Sequence, residues 1–281
     1  MNRAVARDAA SWLTRVALSF LPLLLVAGAA PETPARKFVV LREYGAGSAS
    51  RAQPYLDELL RVAAEQNHWP KVSGRYFSER PAALTFIQQE KPEFGILSLS
   101  AFLALKGPLS LSVMGEVVAP QAGGRQYFLV SRQVEALAGC VGHRVATTFA
   151  ADARFVDRVV AGGAFRLADF TVLAARRPLE PLKQVIRGEA ECALVDDAQL
   201  AATRNLEQGT EVRTVWRSAE LPGMAVVAFP NAGAAAVKSF KPSLGDLCAK
   251  AKQACSSVGI ELLRPSGDDT YRAVLEAYAK P

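Results

Sequence analysis

From Phe38 to Tyr278 short apolar runs of strand character alternate with segments of helical periodicity, and this rhythm restricts the chain more than any other feature. Phe38–Leu41 reads as a buried strand. The small-residue loop Tyr44-Gly45-Ala46-Gly47-Ser48 then leads into a helix with Leu56, Leu59, Leu60 and Ala63 at i, i+3, i+4 and i+7. Strands over Val72–Phe77, Phe94–Leu97 and Leu111–Val118 follow, separated by a short helix over Ala82–Gln89 and another beginning near Ala101. After Gly123-Gly124 a second series repeats the pattern. Its strands are Gln126–Val130, Arg144–Thr147, Phe170–Leu173, Cys192–Val195 and Val212–Trp216, with helices from Ala150 and over Leu179–Arg187. A strand over Gly223–Phe229 and helices near Ser243–Val258 and Asp268–Tyr278 close the chain. Repeated βα units demand parallel pairing with helices packed on the sheet faces. Length allows two such series and little more.

The N-terminus has a different character. Arg3, Arg7 and Arg15 stand against the single acid Asp8, and an apolar stretch from Val16 to Ala30 ends on Ala27-Gly28-Ala29-Ala30. Basic, apolar and small-residue regions in that order predict a cleavable secretory signal over residues 1–30, with a linker over 31–36; an uncleaved N-terminal anchor is the alternative. The apolar stretch is shorter than the roughly 20 residues of a spanning helix. The expected location is therefore the periplasm.

Export permits disulfides, and the chain has four Cys. Cys140 and Cys192 lie near the starts of two strands of one segment and can meet in space. Cys248 and Cys255 fall in a predicted helix, where seven residues separate them by about 10.5 Å, too far for a bridge unless the helix breaks. Free buried thiols are the alternative for all four. Two His and no Cys/His cluster argue against a zinc site, and no cofactor or metal is expected.

Candidate ligand contacts come from the strand-to-helix turns, because open α/β sheets bind ligands beyond the C-terminal ends of their strands. Two facing sheets would form a closing trap. Ser48 and Ser50, Ser98 and Ser100, and Thr147 and Thr148 occupy such turns; each is either a helix cap or a donor to an anion. Asp196 ends an apolar strand and can receive a ligand cation or cap the next helix, a role for which Asp197 competes. Tyr44, after the first strand, offers a hydroxyl or a stacking face. Phe102 and Phe149 line the cleft or belong to the core.

The order of these segments resembles the phosphate/phosphite/phosphonate class of ABC-transporter solute-binding proteins, a branch of the type II periplasmic binding proteins. The matching stretches are Lys37-Phe38-Val39-Val40, Phe94-Gly95-Ile96-Leu97 and Gly188-Glu189-Ala190-Glu191-Cys192-Ala193-Leu194-Val195-Asp196-Asp197, within a similarity spanning about residues 37–278. The resemblance implies an α/β venus-flytrap fold of two lobes, each a mainly parallel sheet flanked by helices, joined by two crossover hinge strands. Lobe 1 would hold 37–124 and 223–281, with lobe 2 (125–222) inserted. By position, Tyr44 matches an aromatic pocket residue, Ser98 with Phe102 the turn after the third strand, Thr147-Thr148 a Ser-Thr pair gripping phosphonyl oxygens, and Asp196 the carboxylate that receives a ligand amino group. The family's Ser-Thr-Ser-Gly-Tyr run is replaced by Thr147-Thr148-Phe149-Ala150-Ala151. Its following loop His is replaced within Ala174-Ala175-Arg176-Arg177, where either Arg can neutralise an anion.

The implied function is capture of a small oxyanion-bearing ligand, such as a phosphonate or phosphate, by a monomer that delivers it to an ABC permease. The rival is a module of the same fold that reports a different ligand to a membrane sensor. Catalysis is disfavoured: there is no Gly-x-Ser-x-Gly elbow or Walker A motif, and Gly45-Ala46-Gly47 lacks the third Gly of a dinucleotide fingerprint. The formal charge of +6 is a mild, scattered excess that does not mark a nucleic-acid surface. The six Tyr are too dispersed for a ferric-ion trap.

Overall fold

The structure, a computed structural model, describes residues 35–44, 48–119 and 123–280. The predicted leader and most of the linker lie outside the described residues, as does Gly45-Ala46-Gly47. In chain order the elements are β1 (Arg36–Leu41), α1 (Ala49–Asn67), β2 (Val72–Phe77), α2 (Arg80–Glu90), β3 (Phe94–Leu97), α3 (Leu99–Leu105) and β4 (Ser112–Val118). Next come β5 (Tyr127–Ser131), β6 (Arg144–Thr147), α4 (Ala153–Phe155, continued by a π-helical turn Val156–Val160), β7 (Thr171–Ala174), α5 (Glu180–Ile186), β8 (Cys192–Asp196), α6 (Asp197–Ala201) and β9 (Arg213–Arg217). The chain ends with β10 (Ala225–Ala228), α7 (Ala234–Lys250), α8 (Lys252–Ser257), β11 (Leu262–Pro265) and α9 (Arg272–Ala279). No helix among the described residues is long and apolar enough to cross a membrane.

The strands form two sheets, ordered β11-β4-β10-β3-β1-β2 and β7-β6-β8-β5-β9. In the first, β1 pairs parallel with β2 and β3, and β10 runs antiparallel between β3 and β4. Strands β1 to β4 therefore point one way, with β10 and β11 opposed. In the second, β6 pairs parallel with β7 and β8, while β5 opposes β8 and β9. This is the two-lobed α/β venus-flytrap fold. The chain passes between sheets twice, from β4 to β5 and from β9 to β10.

Each crossing contains a glycine that tight geometry requires. Gly123 has φ +85°, and a Cβ there would sit 2.5 Å from Asp196 Oδ2. A Cβ on Gly223 would lie 2.1 Å from the Val117 carbonyl oxygen, and its N–H donates to Glu116 Oε1 at 2.9 Å. Behind the crossings, the buried Tyr271 hydroxyl donates to the Met224 carbonyl at 3.1 Å. The C-terminal helix α9 also reaches the second lobe, where Arg154 Nε donates to the Tyr278 carbonyl at 2.9 Å and the guanidinium lies over the Tyr278 ring.

The apolar periodicity read along α1 is the face it buries, with Leu56, Leu59, Leu60 and Ala63 all inside the core. Phe38, Trp69, Phe94 and Phe240 pack around one another on that side of the first sheet. The helix expected from Ala150 begins at Ala153 instead. β11 has no counterpart among the predicted strands; it adds to the sheet edge by antiparallel pairing with β4.

Both cysteine pairs are bridged, Cys140–Cys192 with Cα atoms 6.0 Å apart and Cys248–Cys255 with 5.6 Å. The second corrects the expectation from helical spacing. The predicted single helix over Ser243–Val258 is two helices, and the chain leaves helical geometry between them at Ala251 (φ −102°, ψ 42°). That break folds the seven-residue separation back on itself. Loop-closure entropy scales with the length enclosed, giving about 4 kcal/mol for the 52-residue loop and about 2 kcal/mol for the seven-residue one. Replacing Cys140 and Cys192 by Ala should thus lower stability in urea about twice as much as replacing Cys248 and Cys255. Equal or reversed losses would contradict this assignment of their roles.

Candidate functional site

Strand ends set the site. The N–H of Arg42 bonds the Phe77 carbonyl at 3.0 Å and that of Ser98 bonds the Leu41 carbonyl at 2.8 Å, so β1, β2 and β3 finish at one level. The turns that follow, Arg42–Tyr44, Ser78–Arg80 and Ser98–Ser100, converge there. The turns after β6, β7 and β8 face them from the second lobe, bringing Thr148–Asp152, Ala175-Arg176 and Asp196 to the same cleft.

The cleft has two parts. The inner pocket, lined by Glu43, Tyr44, Ser100, Tyr127, Phe149 and Asp196 among others, holds only about 30 Å³, space for one or two waters. The outer cleft holds about 700 Å³ and is lined by residues that include Ser78, Arg80, Thr148, Asp152, Arg176 and Pro178. Only the outer part has the size of a small-molecule site.

Between them lies a charged cluster. Pro81 follows Arg80 at the start of α2 and suits a first helical turn, which sets the Arg80 side chain at the mouth of the turn. Its guanidinium donates to both Glu43 oxygens, Nε to Oε1 at 2.9 Å and Nη2 to Oε2 at 2.7 Å. Nη2 also reaches Asp152 Oδ2 of the second lobe at 2.9 Å. Burial works against the charge on Arg80, but the two carboxylates outweigh it and hold the group above its usual range. Tyr44 donates its hydroxyl to the same Asp152 oxygen at 2.8 Å and packs edge-on against Phe149 at 4.8 Å. Burial first, and then the Asp152 charge, push the Tyr44 phenol well up, so it stays a donor. Tyr44 has φ 62°, a left-handed conformation that costs a non-glycine residue about 1–3 kcal/mol. That strain places its hydroxyl across the cleft.

The sequence-derived candidates divide. Ser98 and Ser100 are at the cleft, but their hydroxyls donate to Glu43 Oε2 at 3.3 and 3.2 Å. Thr147 is fully buried and turned into the sheet, donating to the Leu194 carbonyl at 3.0 Å and accepting from the Phe149 N–H at 3.2 Å; it lines neither part of the cleft. Thr148 lines the outer cleft and accepts from Gln199 Nε2 at 3.3 Å, leaving its own O–H to donate. Asp196 caps α6: Oδ1 accepts from the Gln199 N–H at 2.8 Å, and the Asp196 N–H donates in return to the Gln199 side chain. Asp197 instead accepts from the backbone N–H of Arg125 at 3.2 Å. Ser48 is the N-cap of α1, and Ser50 is hydrogen-bonded to it on the exposed surface. Phe149 lines the inner pocket, whereas Phe102 is core, packed on Tyr271. Arg176 faces the outer cleft and makes no ion pair among the described residues.

Sequence reasoning does not single out Glu43, Arg80 or Asp152. A signal exists for Arg80, which stands three residues past a predicted strand and directly before a proline. Glu43 and Asp152 carry no motif; only the fold brings them together. No group of His, Cys, Asp and Glu among the described residues has the arrangement of a metal site.

No protein-family model matches the chain, and a search of curated proteins finds no match. Solved structures do. XAC2383 from Xanthomonas citri bound to ATP superposes with TM-score 0.68 at 13% identity, covering 87% of this chain and 96% of that one. A binding-protein component of an ABC phosphonate transporter, PA3383 from Pseudomonas aeruginosa, gives 0.64 at 13%, covering 87% and 85%. PhnD1 from Prochlorococcus marinus in complex with methylphosphonate gives 0.64 at 10%, covering 86% and 96%. At these identities the likeness establishes the fold.

Burial pushes the Asp196 carboxyl up from 3.8 to about 7, against the N–H bond from Gln199 that pulls it down. Between these values the folded protein keeps a proton that the unfolded chain has released. Stability attributable to this group is therefore full below about pH 4 and declines as pH rises to about 7. Asn preserves the cap, so Asp196→Asn should flatten the stability profile from about pH 4.5 to about pH 7.5 in urea denaturation. An unchanged slope would assign the pH dependence to another group.

Proposed function

We propose that the chain is an exported solute-binding protein that captures a small oxyanion-bearing ligand, phosphonate- or phosphate-like, between its lobes and delivers it to an ABC permease. The observation that supports this reading best is the outer cleft. It has the volume of a small-molecule site, and it offers an arginine, Arg176, without a carboxylate partner among the described residues. Thr148 adds a hydroxyl donor from the neighbouring turn. A guanidinium and a hydroxyl on adjacent loops suit a tetrahedral oxyanion, the first through two parallel N–H donors and the second through a single directed bond.

Position in the fold supports the same reading. Both groups belong to the second lobe, whereas Arg80 stands on the first lobe across the cleft. A ligand gripped from one side and touched from the other favours the closed arrangement of the lobes, because binding energy is gained only when both walls are in reach. A permease reads such a closure as loading. PA3383 and PhnD1 have the same two-lobed architecture, and each is associated with a phosphonate, the first as a transporter component and the second in complex with methylphosphonate.

The test is a thermal-shift and calorimetric panel of phosphate, phosphite, methylphosphonate, sulfate and simple carboxylates. A ligand that binds the folded state alone raises the melting midpoint with concentration. At least one oxyanion should do so, and Thr148→Ala should weaken it by about 1–2 kcal/mol, the loss of one donor to a charged acceptor. Absence of any shift across the panel would contradict the oxyanion assignment.

A further inference from the structure

The donors nearest the first-lobe strand ends are already engaged by the chain itself. Glu43 Oε2 accepts from Ser98 Oγ at 3.3 Å, Ser100 Oγ at 3.2 Å and Arg80 Nη2 at 2.7 Å, while Oε1 accepts from Arg80 Nε at 2.9 Å. Two hydroxyls and a bidentate guanidinium around a pair of oxygens make an oxyanion seat, and a carboxylate is the oxyanion in it. The fit is close: the Glu43 side chain is 7% exposed, and the pocket beside it has space for no more than one or two waters.

Charge argues the same way. The charged groups lining the inner pocket are Arg42, Glu43 and Asp196, and Arg80 and Asp152 stand beside it at the border with the outer cleft. Arg80 is shared between two of these acids, and Arg42 is itself engaged, its Nη1 lying 3.4 Å from the Val258 carbonyl. A free phosphate entering there would meet the Glu43 and Asp152 carboxylates, with Arg80 already held by both of them. Like charges at such range disfavour entry strongly where water is scarce.

We propose that Glu43 is the specificity-determining residue of the cleft: its carboxylate is an internal ligand that fills the Ser98–Ser100–Arg80 seat and refuses that seat to free oxyanions. An anionic ligand is thereby confined to the outer cleft, at Arg176 and Thr148. Its inner end must be small and uncharged, or carry a cationic group to face Glu43 and Asp196. This role for Glu43 deepens the solute-binding reading but rests on it only for the position of the cleft.

Removing the internal ligand should create a binding site, which makes the test a gain of function. With inorganic phosphate as probe, Glu43→Ala should bind at least about tenfold more tightly than the native chain by calorimetry, about 1.4 kcal/mol. Adding Ser98→Ala and Ser100→Ala to Glu43→Ala should abolish that gain, and adding Arg176→Ala should leave the gain over its own Glu43-containing parent intact. Acetate should raise the melting midpoint of Glu43→Ala by more than that of the native chain. A folded Glu43→Ala protein with native or weaker phosphate affinity overturns the proposal.

Should Glu43→Ala fail to fold, Ser100→Ala in the otherwise native chain decides. Phosphate affinity unchanged within about twofold, or no binding by either protein, is the expected result, because the seat is filled. A loss of about fivefold or more would mean that the ligand reaches the seat, and the proposal fails. The outcomes separate the two claims. Gain in Glu43→Ala with no oxyanion bound by the native chain sustains the internal ligand and removes the oxyanion reading. Native binding with no gain does the reverse.

Discussion

One guanidinium, shared between two carboxylates from opposite lobes, organises the centre of this molecule. Arg80 joins Glu43, two residues beyond β1, to Asp152 in the segment between β6 and α4. All three side chains are largely withdrawn from solvent, so each charge depends on the others. Removing one member of a buried ion pair costs about 3–5 kcal/mol, because the charge left behind is uncompensated. The arrangement is therefore cooperative: Glu43 holds Arg80 in place, Arg80 reaches Asp152, and Asp152 receives the Tyr44 hydroxyl. The left-handed backbone of Tyr44 is sustained by that last bond and by Phe149.

The same cluster divides the cleft. Inward of it, hydroxyl donors that would suit a ligand serve the chain's own carboxylate, and the remaining space admits little more than water. Outward of it, the cleft widens and Arg176 is available. Proteins of this fold accommodate ligands as unlike as ATP and methylphosphonate, so architecture alone does not select a ligand. Selection lies in which side chains occupy the strand ends, and here an acid and a base from the first lobe occupy them together. Tyr271 and α9 brace the chain behind the crossings, and Gly123 and Gly223 let those crossings pass close to Asp196 and Val117.

The fold is largely legible in the sequence because its determinants are local. Apolar runs such as Phe38–Leu41 and Cys192–Val195 are buried on both faces, and the helical spacing of Leu56, Leu59, Leu60 and Ala63 is the face α1 buries. β11 escapes such a reading because an edge strand needs no distinctive pattern; its register comes from β4. The break at Ala251 escapes for a similar reason, since neither Gly nor Pro marks it. The site is legible in outline only. Strand-end position identifies Ser98, Ser100, Thr148 and Asp196 as lying near the cleft, but it does not say what each hydroxyl or carboxylate bonds. Thr147 faces the sheet and Asp196 serves its helix, both by hydrogen bonds to backbone groups that periodicity does not reveal. The decisive contact, Glu43 with Arg80, joins residues 37 positions apart through side chains alone.

The central claim is that the Arg80–Asp152 contact between the lobes biases them toward the closed arrangement. Spin labels at the exposed positions Gln88 and Arg177, one on each lobe, report that separation directly by pulsed dipolar spectroscopy. Without ligand, the otherwise native chain is predicted to give shorter distances than the chain with Arg80→Ala, whose distribution is broader and longer. Superimposable distributions in the two proteins would contradict the claim.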